Sequence, residues 1–230
     1  MNDFLWPLYL SMRVSLLATL LVALLGLPIG FFFSRRQFPS KQIIETLFIM
    51  PMILPPTVLG YILLILLSKN SLIGGFLYRT FGFTFTFNWL GAVVASSVVA
   101  FPLFYQNAVA AFLNVDRKLE FAARTLGKSP WIVFWDVTMP LAWPTLLAGT
   151  VLAFARALGE FGATLMLAGY IPGKTDTLTL SLFFAVANGE QQKAAIYTTI
   201  VFAFGFLIVY WLLTFSRRKI LRHQWQNRRK

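Results

Sequence analysis

Five long apolar runs constrain this chain more than anything else in it. They cover roughly residues 8–33, 43–67, 89–113, 141–168 and 194–215. A helix needs about 20 largely apolar residues to cross the hydrocarbon core of a bilayer, and each run meets that length. A sixth apolar stretch, 178–187, is too short to cross and reads as a re-entrant or interfacial helix. Irregular backbone at membrane depth survives only where protein or a water-filled cavity covers it. The expected fold is therefore an all-α integral membrane protein, with five transmembrane helices plus one short re-entrant or interfacial helix. No second domain is visible, so residues 1–230 read as a single transmembrane domain.

Composition supports lipid as the solvent. Of the residues, 58% are hydrophobic and 12% charged, a balance that a water-soluble surface cannot accommodate. The net charge of +12 could suggest nucleic acid, but its placement argues for topology instead. The connections after the first and third runs and the tail 216–230 hold fourteen Lys and Arg, against four in the other connections. By the positive-inside rule the C-terminus is cytoplasmic and the short N-terminus outside. The basic tail reads as an anchor that touches anionic lipid. The opening Met1-Asn2-Asp3 has no basic segment of the secretory kind, so the first run reads as a retained helix. There is no cysteine and only one histidine, His223 in the tail. No His-based triad, thiolate metal site or His-rich metal site can be assembled from that inventory, and no metal site is expected.

Within the second run, Pro51, Pro55 and Pro56 each remove a backbone donor, so that helix is expected to be kinked or broken. Two readings stay open: a packing kink, or a bent helix in which Pro55 and Pro56 line a pathway. Gly60 follows and would let another helix approach closely.

The connection 115–140 is more specific. Residues 115–126 form an amphipathic pattern, with Leu119, Ala122, Ala123 and Leu126 on one face. Gly127 is a natural stop, and Pro130 follows at the distance expected after one. Trp131, Phe134 and Trp135 suit a second, interfacial helix that Pro140 would end. The set Glu120, Ala122, Ala123, Gly127, Val137, Met139 and Pro140 resembles the cytoplasmic loop of ABC importer permeases. It departs mildly, with Phe121 between the Glu and the Ala pair, and Val and Met in place of the usual Ile and Leu. The resemblance implies that this loop is a coupling helix. Glu120, Ala122, Ala123, Arg124, Gly127 and Pro140 would then engage a groove in a cytoplasmic ATPase subunit.

The fourth run carries Arg156 and Glu160, four residues apart and so on one helical face. A charge at this depth costs about 2.5–3.5 kcal/mol on insertion scales, so each needs a partner or a function. They could pair with one another, or Arg156 could face a cavity and attract an anion. Gly159 and Gly162 would allow tight helix contact at an interface or gate. The stretch 155–164, with Thr164, and the loop 171–175 resemble the tetraoxyanion importer permeases. Within that group the chain looks most like the molybdate permeases, with tungstate as a related cargo and sulfate/thiosulfate permeases as the alternative.

The resemblance implies the rest of the assembly: two copies of the chain around a pathway, two ATP-binding subunits below, and a periplasmic or extracellular binding protein above. ATP would be used by the partner subunit, with no cofactor bound by this chain and no chemistry performed on it. An ion-coupled secondary transporter predicts repeated halves with matching broken helices, and no repeat is evident. A channel would not need the coupling loop. The stretch 168–175 fits a relaxed P-loop pattern but follows no buried strand, as nucleotide binding would require.

Overall fold

The computed structural model describes residues 2–227, with side chains described for residues 4–211 and for Thr214. Among the described residues every regular element is helical. In chain order they are α1 (Asn2–Arg35), α2 (Lys41–Ile53), α3 (Pro56–Leu67), α4 (Leu72–Phe81), α5 (Trp89–Leu113), α6 (Arg117–Thr125) and α7 (Pro130–Val133). A π-helical turn (Phe134–Thr138) leads into α8 (Met139–Leu158), followed by α9 (Gly162–Ala168), α10 (Leu178–Ala187) and α11 (Gln191–Asn227). The side chains of the basic tail 216–230 lie outside the described residues.

Four described helical runs are long and apolar enough to cross a membrane: Phe4–Arg35, Trp89–Leu113, Pro130–Leu158 and Gln191–Trp211. The count becomes five if α2 and α3 form one span, and these are bent by 116°. Leu54 and Pro55 at that bend are extended, with ψ of 140° and 133°. Pro55 and Pro56 cause the break because neither can donate into the preceding turn. The short apolar helix expected near 178–187 is present as α10.

Two expectations need correction. The fourth run is not one helix over 141–168: α8 stops at Leu158 and α9 begins at Gly162. Nor does Pro140 end an interfacial helix, since the chain stays helical from Pro130 to Leu158. Pro140 lacks the N–H that would bond the carbonyl of residue 136. The π-helical turn takes up the misfit, with the Met139 N–H reaching back to the Phe134 carbonyl.

The chain divides into two compact units, residues 1–180 and 181–230. In the first, α5 is the central helix and packs against α1 and α8. Its core includes Leu10, Val22, Phe104, Phe112 and Leu146. One face of α1 is polar yet buried, with Ser11, Ser15 and Thr19. Ser15 and Thr19 donate to carbonyls one turn back, and Ser11 Oγ accepts from the Leu178 N–H at 2.7 Å. That bond holds the start of α10 against α1 without an orphaned group at membrane depth. The second unit is mainly the rest of α10 and the long apolar α11.

A smaller cluster joins α3, α5 and α9 around Leu59, Val99, Ala163 and Leu167. The contact of α3 with α9 depends on Gly60. A Cβ there would lie 2.7 Å from Met166 Cβ and 2.8 Å from Ala163 Cα. Gly60→Ala should therefore destabilise the chain by about 1–3 kcal/mol through overpacking. Gly205→Ala, where a Cβ meets nothing within 4 Å, should leave the unfolding midpoint in detergent unchanged or raise it. Thermal unfolding of the two variants checks the contrast.

Candidate functional site

The break between α8 and α9 brings most of the candidate pathway residues together. Gly159 ends α8 with near-helical geometry (φ −86°, ψ 9°), and Phe161 leaves it (φ −132°, ψ −60°). Glu160 sits between them and is buried, its residue 3% exposed. Each of its polar atoms has a partner, the backbone N–H bonding the Ala157 carbonyl at 3.3 Å. Oε2 pairs with Arg156 Nη1 at 2.8 Å, and Oε1 accepts from the Ala163 N–H at 2.9 Å. Its backbone carbonyl accepts from the Thr179 hydroxyl at 2.7 Å. The carboxylate thus caps the first turn of α9, while Arg156 lies in the last turn of α8, each at the helix end that favours its charge. Arg156 and Glu160 pair with one another, as one of the two open readings had it. The Arg156 side chain keeps 34% of its surface accessible, so the pair is buried at its acid and open at its base.

The second broken span meets the first at this point. A Cβ on Gly162 would lie 2.9 Å from Pro56 Cβ, so the α2–α3 break and the α8–α9 break abut. Pro55 and Pro56 are both exposed. Thr164 is buried in α9, and its hydroxyl has no hydrogen-bond partner among the described residues. A helical threonine commonly bonds the carbonyl four residues back. Here that carbonyl belongs to Glu160 and already receives Thr179.

The loop 115–140 is a second, separate constellation. Asp116 caps α6 by accepting from the Lys118 N–H at 2.9 Å. At the other end Gly127 takes the left-handed conformation, φ 81°. Its N–H bonds the Arg124 carbonyl at 2.9 Å, and the Lys128 N–H bonds the Ala123 carbonyl at 3.2 Å, which together make a Schellman stop. Glu120 turns inward. It accepts from Arg35 at 2.5 Å and from the Thr138 hydroxyl at 2.7 Å, tying α6 to the end of α1 and to the π-helical turn. Lys128 pairs with Asp136 at 2.6 Å across the turn that follows. Ala123 is buried beside Glu120, whereas Leu119, Ala122, Arg124 and Leu126 are exposed. Trp131 and Trp135 are exposed as well, and Pro140 lies in the first turn of α8. The apolar face of α6 is thus left largely uncovered by its own chain.

Sequence reasoning missed the partners that lie far away in the chain: Arg35 and Thr138 for Glu120, and Thr179 for Glu160. It also passed over Glu45, which accepts from the Tyr105 hydroxyl at 3.0 Å and ties α2 to α5. The acid within the 43–67 run was the available signal, because such a group needs a partner at that depth.

Residues 26–222 match the family described as binding-protein-dependent transport system inner membrane component. The chain belongs to that family. It is 41% identical over 221 residues to the molybdenum transport system permease protein ModB of Escherichia coli (strain K12), which covers 93% of this chain and 96% of the relative. Among solved structures, a bacterial ABC transporter involved in the import of the acidic polysaccharide alginate aligns with a TM-score of 0.72 at 16% identity, over 95% of this chain and 80% of that one. The inward-facing MetNI methionine ABC transporter aligns with a TM-score of 0.68, also at 16% identity, over 95% and 96% of the two chains. At such identities these two establish the fold, which is that of ABC importer permeases.

If the Glu160 carboxylate stabilises the break as its bonds indicate, Glu160→Ala should cost roughly 2–4 kcal/mol, because it strands the Arg156 charge and uncaps α9. Glu160→Gln should cost less, since an amide oxygen can still accept from Ala163. A double-mutant cycle with Arg156→Ala in detergent unfolding should return a coupling of about 1–3 kcal/mol, and a coupling near zero would contradict the pair.

Proposed function

We propose that this inner membrane component is the pore-forming permease subunit of an ATP-driven importer that moves molybdate, and by the same chemistry tungstate, inward by alternating access. The end-to-end likeness to a ModB chain carries the cargo assignment. The two abutting helix breaks support a pathway there, because unwound backbone at membrane depth has to line protein or a water-filled cavity. Arg156 supplies the positive charge that an oxyanion would meet in passing. Glu160 keeps that charge in place and lowers its standing cost, so the anion is attracted without being trapped. Gly159, Gly162, Thr164, Pro55 and Pro56 form the surrounding gate.

The uncovered apolar face of α6 supports docking to a cytoplasmic ATPase subunit, where ATP is hydrolysed. In this reading Ala122 and the Gly127 turn make or shape the contact, and Arg124 bears on it from the other side of α6. Glu120, Ala123 and Pro140 act from behind it by fixing α6 to the membrane helices. Two copies of the chain, two ATPase subunits and a periplasmic or extracellular binding protein complete the importer. The positive-inside bias supports an N-terminus outside and a cytoplasmic C-terminus in the cytoplasmic (inner) membrane. The two compact units act within one permease domain.

Competition in proteoliposomes tests the cargo. Uptake of labelled molybdate by the reconstituted importer should fall on adding equimolar tungstate and should barely respond to a tenfold excess of sulfate. Equal competition by sulfate would transfer the chain to the sulfate/thiosulfate reading.

A further inference from the structure

Beside the coupling helix lies a cleft of roughly 340 Å³ lined by Phe31, Arg35, Arg36, Arg117, Glu120, Phe121 and Arg124. It holds four guanidinium groups against one carboxylate. One oxygen of that carboxylate is already engaged, since Glu120 Oε1 accepts from both Arg35 and Thr138. Arg36, Arg117 and Arg124 form no ion pair with any acid among the described residues. Arg35 is held firmly, its side chain 14% accessible, beside the Phe31 ring, and its Nε is buried with no acceptor among the described residues. Gathering like charges into one cleft is unfavourable unless something negative enters it.

Position indicates what enters. Arg35 lies in the last turn of α1, at the end of a membrane-crossing run, which is the level of lipid headgroups. Phe31 and Phe121 give the cleft an apolar wall next to its donors. Arginines present fork-shaped donors that match phosphate oxygens. Arg117 and Arg124 are seven residues apart on α6 and so nearly aligned on one side. That side differs from the exposed Ala122 and Leu126 face left for a protein partner. We infer that this cleft is a binding site for a phosphate group, that of an anionic phospholipid, seated between the end of α1 and the coupling helix. A bound headgroup would brace α6 against the membrane from the side opposite its docking face.

The test uses the assembled transporter and leaves Arg35, Glu120 and Arg124 untouched. Binding of short-chain phosphatidylglycerol, short-chain phosphatidylcholine and inorganic phosphate is followed by native mass spectrometry for the parent, R36Q/R117Q and R36K/R117K. The parent should prefer phosphatidylglycerol over phosphatidylcholine. R36Q/R117Q should weaken phosphatidylglycerol binding by roughly thirtyfold, at about 1 kcal/mol for each of the two basic residues near a charged surface. R36K/R117K should recover most of it, and the unfolding midpoint should match the parent in both variants. Tight binding of inorganic phosphate that the Gln variant loses, with no lipid preference, would keep a phosphate site but give it a free ion as its occupant. Equal phosphatidylglycerol and phosphate binding by parent and Gln variant would overturn the site. So would unchanged lipid binding together with loss of the ATPase subunit from R36Q/R117Q, which would make the cleft a protein contact.

Discussion

A carboxylate buried where a membrane helix has come apart governs the centre of this molecule. Unwinding a span leaves amides and carbonyls that lipid cannot satisfy. Glu160 answers this locally: one oxygen caps the restarting helix, the other neutralises Arg156, and its carbonyl receives Thr179. Without those bonds the α8–α9 break would be a cluster of orphaned groups and an unpaired charge. With them the break persists and can abut the α2–α3 break through Pro56 and Gly162. Two discontinuities in one place make a spot where backbone polarity and a guanidinium reach membrane depth, which an anion pathway requires.

The α6 end repeats the device. Glu120 also bonds an arginine and a threonine hydroxyl from distant parts of the chain. In both places an acid fixes a short element to longer helices, so that displacement of one is felt by the other. Glu120 links α6 to α1 and to the π-helical turn, and that turn runs directly into α8, whose far end carries Arg156. A push on α6 therefore has a continuous helical route to the Glu160 break. The geometry offers a mechanical connection between the proposed docking face and the proposed gate, and it does so within one chain.

Much of this was legible because lipid is a strict solvent. The apolar runs located α5 closely and fell inside the longer α1 and α11, since a crossing helix has to be long and apolar whatever its neighbours. Pro55 and Pro56 announced their break through covalent structure alone. The Gly127 stop was readable because a left-handed residue at a helix end is chemically distinctive. The α8–α9 break was not readable. Residues 141–168 are apolar enough for one span, and two groups that meet the break, Thr179 by a hydrogen bond and Pro56 by packing, come from elsewhere in the chain. Pro140 misled for a related reason: a π-helical turn before it absorbs the missing donor. For Glu120, helical periodicity gave its side of α6, but Arg35 lies 85 residues away, and only folding shows that this side faces inward.

The central claim is that the Glu160 break lines the transport pathway and opens with the ATPase cycle. The chain has no cysteine, and a Cβ at the exposed Gly159 meets nothing nearer than the Ala155 carbonyl at 3.6 Å. Gly159→Cys therefore places one unique thiol at the break. In the reconstituted importer its rate of reaction with a charged, membrane-impermeant thiol reagent should change several-fold between the nucleotide-free and ATP-trapped states. A thiol equally unreactive in both states, as one facing lipid would be, would contradict the account.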